Sequence, residues 1–167
     1  MNTLANSYYI KALDQYPYDL AEFLESINYA LSYDENNPDA NCLMGRFNME
    51  HLYNFEQAKY YFEKALCNDI NHIQTYYYFI RWAIDVNDLD FAKRLIKFAS
   101  TLQGVCQASL LHRRGTIEEK TGNFKKALKL YEKAINATIF NSNTDFFKRE
   151  KARVKNKKKA QLLKTKR

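Results

Sequence analysis

Apolar residues recur along this chain at intervals of three and four, and short polar tracts interrupt them. From Thr121 to Ile135 it reads TGNFKKALKLYEKAI, with Ala127, Tyr131 and Ala134 on one face of a helix. The same small–large–small triplet occurs at Ala58, Phe62 and Ala65, and at Ala92, Ile96 and Ala99. A variant of it occurs at Phe23, Ile27 and Ala30. The closing alanines, Ala30, Ala65, Ala99 and Ala134, are spaced by 35, 34 and 35 residues. A period in that range signals stacked helical repeats, none of which can bury its own apolar face alone.

The pattern predicts helices in pairs. The first runs over 3–16 and stops at Pro17, which has no N–H and constrains the residue before it. Asp19 is placed to cap a second helix ending near Tyr33, and 34–39 is a polar turn. A second pair starts near Asp39 or Ala40 and turns at Asn54. A third spans 72–86 and 89–102, turning at Asn87-Asp88. A fourth begins near Gln107, turns at 121–123 and ends about Ala137. The repeat units are therefore drawn at 3–36, 37–71, 72–106 and 107–140, forming an array over 1–140. A basic capping helix and tail occupies 141–167. Its capping part is expected at 144–155, anchored by Phe146 or Phe147, with AQLLKTKR beyond as a fraying helix or disordered tail.

Composition narrows the picture. Apolar residues make up 46% of the chain, while only 4 are Gly and 2 Pro, which suits long helices better than a turn-rich β fold. The 13 Tyr and 11 Phe read as filling between stacked helices. No run approaches the ~18 apolar residues of a membrane span, and no signal peptide is evident at the start. Cys42, Cys67 and Cys106 are odd in number and scattered, as reduced thiols in a cytoplasmic protein would be. Charge is uneven: residues 145–167 hold 11 Lys or Arg against Asp145 and Glu150, a net of +9, which leaves −2 on the rest. The +7 overall therefore describes the tail.

The helix pairs resemble tetratricopeptide repeats. Gly115, Gly122, Asn123-Phe124, Ala127, Tyr131 and Ala134 fall where that family places its signature residues, and the second unit matches through Ala58, Phe62 and Ala65. The third keeps Tyr76 but carries Ile80 where glycine is usual, and the first has Lys11 there. The resemblance covers roughly 3–138. It implies an all-α, right-handed superhelix (an α-solenoid) whose concave side is lined by the first helix of each unit and holds a peptide or a partner helix. The register carried over puts Tyr8, Ala12, Cys42, Arg46, Gln74, Tyr77, Arg81, Ser109, His112, Thr116 and Glu119 on that side.

Arg46 and Arg81 share a register position. With Tyr77 nearby, they could grip a carboxylate or acidic peptide through bidentate hydrogen bonds, or they could pair with Glu50 and Asp85 instead. The lysine/asparagine/arginine clamp of chaperone-tail receptors in this family is not reproduced, because its positions hold Tyr8, Ala12, Gln74 and Tyr78. His51, His72 and His112 fall in different units, and no nucleophile, P-loop, metal or dinucleotide motif occurs. No enzyme, cofactor or metal site is expected. Lys155, Lys157, Lys158 and Lys159 are candidate contacts to phosphate or an anionic surface, and they also pass as a nuclear-localisation run. The expected function is a protein-interaction scaffold with a peptide or helix in its groove. The alternative is a nucleic-acid-associated factor whose tail binds phosphate while the repeats recruit protein, and homodimerisation through a terminal face is a third reading.

Overall fold

Helix ends follow from capping chemistry. The computed structural model describes residues 3–138 and 141–164, and all the described helices are α-helices: α1 (Thr3–Gln15), α2 (Leu20–Tyr33), α3 (Pro38–Glu50), α4 (Phe55–Asn68), α5 (Ile73–Asp85), α6 (Leu89–Ala99), α7 (Gln107–Lys120), α8 (Phe124–Asn136) and α9 (Asn141–Lys164). The side chains of Asp19, Asn37, Asn54 and Asp88 accept from the backbone N–H three residues on, at 3.0, 2.9, 3.1 and 3.0 Å. Each satisfies a donor that the first helical turn leaves without a partner. Pro38 sits at the first position of α3, where its missing N–H costs nothing. Asn87 and Gly122 adopt left-handed backbone, with φ of 64° and 77°, just after the ends of α5 and α7.

Two expected boundaries move. α6 ends at Ala99, not near Leu102, because the Ser100 and Thr101 hydroxyls donate to the carbonyls of Lys97 and Phe98 at 2.7 Å each. Such local bonds compete with the helix ladder. At the other end, α9 is one helix of 24 residues, much longer than a cap over 144–155. Its Lys, Arg, Ala, Gln and Leu residues favour helix, and no Gly or Pro interrupts them. Helix reaches Lys164 through most of AQLLKTKR, whose last three residues, 165–167, lie outside the described residues.

The chain divides into two compact units, Met1–Asn87 and Asp88–Arg167, with the division between α5 and α6. Within the first, α1 pairs with α2 and α3 with α4, and α5 packs on α3 and α4. Within the second, α7 pairs with α8, and α9 packs along α8. All four triplets are buried: Phe23, Ile27, Ala30, Ala58, Phe62, Ala65, Ala92, Ala99, Ala127, Tyr131 and Ala134 are fully so, and Ile96 nearly so. In the first unit Phe23, Ile27 and Ala30 share a core cluster with Tyr16, Leu43, Met44 and Phe47. In the second, Val154 of α9 joins Ala127 and Tyr131, and Phe147 joins Ala108 and Ala134. Phe147 is thus the anchor of α9, whereas Phe146 is part-exposed.

Two glycines let the paired helices approach. A Cβ on Gly45 would lie 2.8 Å from the Phe62 ring, and one on Gly115 2.7 Å from the Tyr131 ring. Both rings are fully buried and cannot retreat. Gly115→Ala is therefore expected to destabilise the protein by about 1–3 kcal/mol, the usual cost of overpacking. That outcome opposes the ~1 kcal/mol that alanine gains over glycine in helix propensity. Urea unfolding followed by circular dichroism measures the difference, and a stabilised variant would contradict this packing.

Candidate functional site

The first helices of the first unit's hairpins, α1, α3 and α5, present one shared face, and a small hollow of about 40 Å³ opens on it. Tyr9 and Leu13 of α1, Asp39, Cys42, Leu43 and Arg46 of α3, and His72, Gln74 and Tyr78 of α5 line it. His72 ties α5 to α3 by contacting Thr75 at 2.7 Å and Asp39 at 3.0 Å. Arg46 lies half-buried between two rings, its guanidinium carbon 4.5 Å from the Tyr16 centroid and 4.9 Å from that of Tyr78. Both contacts are cation–π in character.

The charge at this face is internally matched. Glu50 accepts from Arg46 Nε at 2.8 Å, Arg81 Nη1 at 2.5 Å and the Tyr16 hydroxyl at 2.6 Å. Arg81 also lies 3.6 Å from Asp85. Burial alone would raise the Glu50 pKa, but the Tyr16 and Arg46 hydrogen bonds and the two guanidinium charges hold it below the usual carboxylate value. Burial first, and then the bond to Glu50, push the Tyr16 hydroxyl upward. Burial raises the Cys42 thiol to about 12, so it stays protonated.

The structure therefore places the predicted groove residues unequally. Cys42, Arg46 and Gln74 line the hollow; Arg81 does not line it and is joined to Arg46 through their shared partner Glu50. Tyr77 does not line it; Tyr78 does, accepting from Gln74 at 3.5 Å. In α1, Tyr9 and Leu13 take the places expected of Tyr8 and Ala12. Tyr8 instead stacks on Tyr29 and Tyr33, with centroids 5.1 and 5.7 Å away, and Ala12 is in the core. α1 is thus turned by one residue, about 100°, from the expected register, whereas α5 keeps Gln74 in place and exchanges only Tyr77 for Tyr78. Spacing does not separate the two registers of α1, since Tyr8 and Ala12 are four apart just as Tyr9 and Leu13 are.

In the second unit α9 covers the expected face of α7. The His112 ring is buried against Tyr131, Phe146 and Phe147, with centroids 5.3, 5.1 and 5.1 Å away, so it is not open to a peptide. Thr116 Oγ1 donates to the His112 carbonyl at 3.2 Å and accepts from the Tyr131 hydroxyl at 3.4 Å. Glu119 receives both Arg153 nitrogens at 2.6 and 2.7 Å, Lys157 at 2.8 Å and the Tyr131 hydroxyl at 3.2 Å. Lys157 is thus engaged within the protein. Lys155, Lys158 and Lys159 form no ion pair with the described residues.

Among the described residues, no group of three or more His, Cys, Asp or Glu could hold a metal, and no helix is long and apolar enough to cross a membrane.

Two titrations report on the docking of α9. Burial, aided by the Arg113 charge, lowers the His112 pKa to about 4, and among the described residues no hydrogen-bond partner meets its Nε2. Below its unfolded value of ~6.5 the unfolded chain binds the proton more readily, so stability falls from pH ~6.5 towards 4. Partial burial would raise the Glu119 pKa, but the bonds from Arg153 and Lys157 outweigh it and hold it at about 2. Its contribution is complete above the unfolded value of ~4.3 and is lost as pH falls towards 2. Urea midpoints measured against pH should show both windows. His112→Leu should flatten the upper one and Glu119→Gln the lower. An unchanged profile in both variants would contradict the geometry.

The architecture matches solved structures. Pseudomonas aeruginosa PilF aligns with a TM-score of 0.79 at 16% identity, over 94% of this chain and 70% of that one. A crystal structure of MamA aligns at 0.65 and 19% identity, over 82% of this chain and 74% of that one. A double mutant of MamA RS-1 aligns at 0.66 and 16%, over 93% and 89%. No protein-family model and no curated protein sequence matches the chain.

Proposed function

We propose that this chain, which has the tetratricopeptide-repeat fold of PilF and MamA, is a protein-binding scaffold that holds a peptide or helix on the α1–α3–α5 face. The observation that carries the reading is the hollow shared by three successive first helices. Its wall combines aromatic and aliphatic surface from Tyr9, Leu13, Leu43 and Tyr78 with the polar groups of Gln74 and Arg46. Such a mixture suits a partner side chain inserted beside directional hydrogen bonds. The network beneath is preorganised, because Arg46 is clamped by two rings and Glu50 and needs little reordering on binding. Arg81, with a side chain 40% exposed, is the guanidinium placed to reach an acidic residue of a partner, in competition with Glu50 and Asp85.

A second reading, a nucleic-acid-associated factor, is supported by Lys155, Lys158 and Lys159, whose charges the fold leaves unmatched among the described residues. The repeats would then recruit protein while this end of the chain meets phosphate.

The groove reading is tested with a photo-crosslinking residue placed at Gln74 and, separately, at the exposed Lys59 of α4. A partner retained by the full chain should crosslink from position 74 and not from 59. Gln74→Lys with Arg81→Glu should weaken that partner by about tenfold or more, as expected for loss of polar contacts at a desolvated site. Crosslinking from position 59 alone, with undiminished binding by the double variant, would place the interface elsewhere.

A further inference from the structure

α9 divides its cations between two flanks. On one, Arg153 and Lys157 are spent on Glu119 of α7, where they hold the helix in place. On the other, α9 runs along α8, and two hollows open beside their contact. One, of about 300 Å³, is lined by Glu132 and Ile135 of α8 and by Lys148, Lys151, Ala152 and Lys155 of α9. The second, of about 480 Å³, is lined by the 122–126 turn and helix start, with Lys125 and Lys126, and by Lys158 and Gln161 of α9. Six lysines thus line the two hollows. The carboxylate among them, Glu132, is already paired with Lys151, and Lys148 lies 3.9 Å from Asp145. Lys125, Lys126, Lys155 and Lys158 form no ion pair with the described residues.

We infer that the α8–α9 seam is a phosphate-backbone binding furrow for single-stranded nucleic acid. This inference rests on the second reading above and moves its site: the cations come from two helices and not from the Lys155–Lys159 run alone, and Lys157 takes no part. Ten residues separate Lys148 from Lys158, about 15 Å of helix. A strand advancing about 3.4 Å per nucleotide places roughly four phosphates along that length. At the hollow beside the 122–126 turn cations stand on both walls, Lys125 and Lys126 facing Lys158, while along Glu132 and Ile135 the lysines come from α9. A flexible chain of charges can follow such a furrow, whereas a flat bilayer would meet only the crest of α9. No arginine is among the residues lining either hollow, so the forked geometry that recognises carboxylates is missing, while point-charge lysines serve phosphate oxygens. The recognition is therefore expected to be independent of base sequence.

The test is fluorescence anisotropy of a labelled oligouridine with the full chain across a salt series. Binding should weaken with log salt at a slope of about −0.7 per phosphate neutralised. The triple variant Lys125→Glu, Lys155→Glu, Lys158→Glu should bind about tenfold or more weakly and lose about two units of slope. A charge-matched control, Lys11→Glu, Lys59→Glu, Lys93→Glu, reverses three exposed lysines elsewhere and should lose far less. If the seam variant loses helicity by circular dichroism, the Lys→Gln triple at the same positions reads the same slope. Equal loss in seam and control variants would overturn the furrow while leaving nucleic-acid association standing. Absence of oligouridine binding at about 50 mM salt would end both. Retention by phosphatidylserine vesicles without oligouridine binding would overturn the furrow in favour of a membrane surface. Displacement of the RNA by polyglutamate at equal charge concentration would overturn it in favour of an acidic protein.

Discussion

A buried aromatic ring seated against a residue with no side chain sets the spacing of two helix pairs, α3–α4 and α7–α8. Phe62 lies over Gly45 and Tyr131 over Gly115, each at a distance that leaves no room for a methyl group. Alanines flank each ring one helical turn away and are fully buried with it. Interiors packed this closely tolerate neither an added methyl nor a missing one, so ring and glycine together select which face of each helix turns inward. The residues on the remaining faces are the ones available to other molecules.

A recurring electrostatic device then ties two of the hairpins, α3–α4 and α7–α8, to the helix that follows. Near the end of α3, Glu50 accepts from a tyrosine hydroxyl and two cationic side chains, one of them Arg81 of α5. Near the end of α7, Glu119 accepts from a tyrosine hydroxyl and two cationic side chains, both from α9. α9 thus plays for the last hairpin the part that α5 plays for an earlier one, and closes an apolar face that would otherwise meet water. This accounts for the burial of His112 and for the engagement of Arg153 and Lys157, which a tail serving only as a solvated polyelectrolyte would not show.

The same device limits what the groove face can do. Arg46 and Arg81 look, on paper, like a receptor for a partner carboxylate, but Glu50 already occupies them. The proposed interface consequently leans on shape and on Gln74, Tyr78 and the exposed part of Arg81, with acidic character in the partner a secondary feature. At the α8–α9 seam the balance is reversed, because lysines outnumber the carboxylates near them.

The helices, the pairing of α1 with α2, α3 with α4 and α7 with α8, the Asp19 cap and the buried alanines were legible in the residue order, since a helical period and a fixed repeat length both survive without coordinates. Local capping is a matter of three residues, and burial of a triplet follows from its spacing. Rotation of a helix by one residue was not legible: Tyr8 and Tyr9, or Tyr77 and Tyr78, are chemically alike, and only packing against α2 and α3 decides which turns towards the shared face. Nor could residue order show that Glu119 meets Arg153, 34 positions away, or that α9 would cover His112. Periodicity is a property of neighbours along the chain, whereas ion pairs and covered faces depend on distances that arise only once separate helices have met.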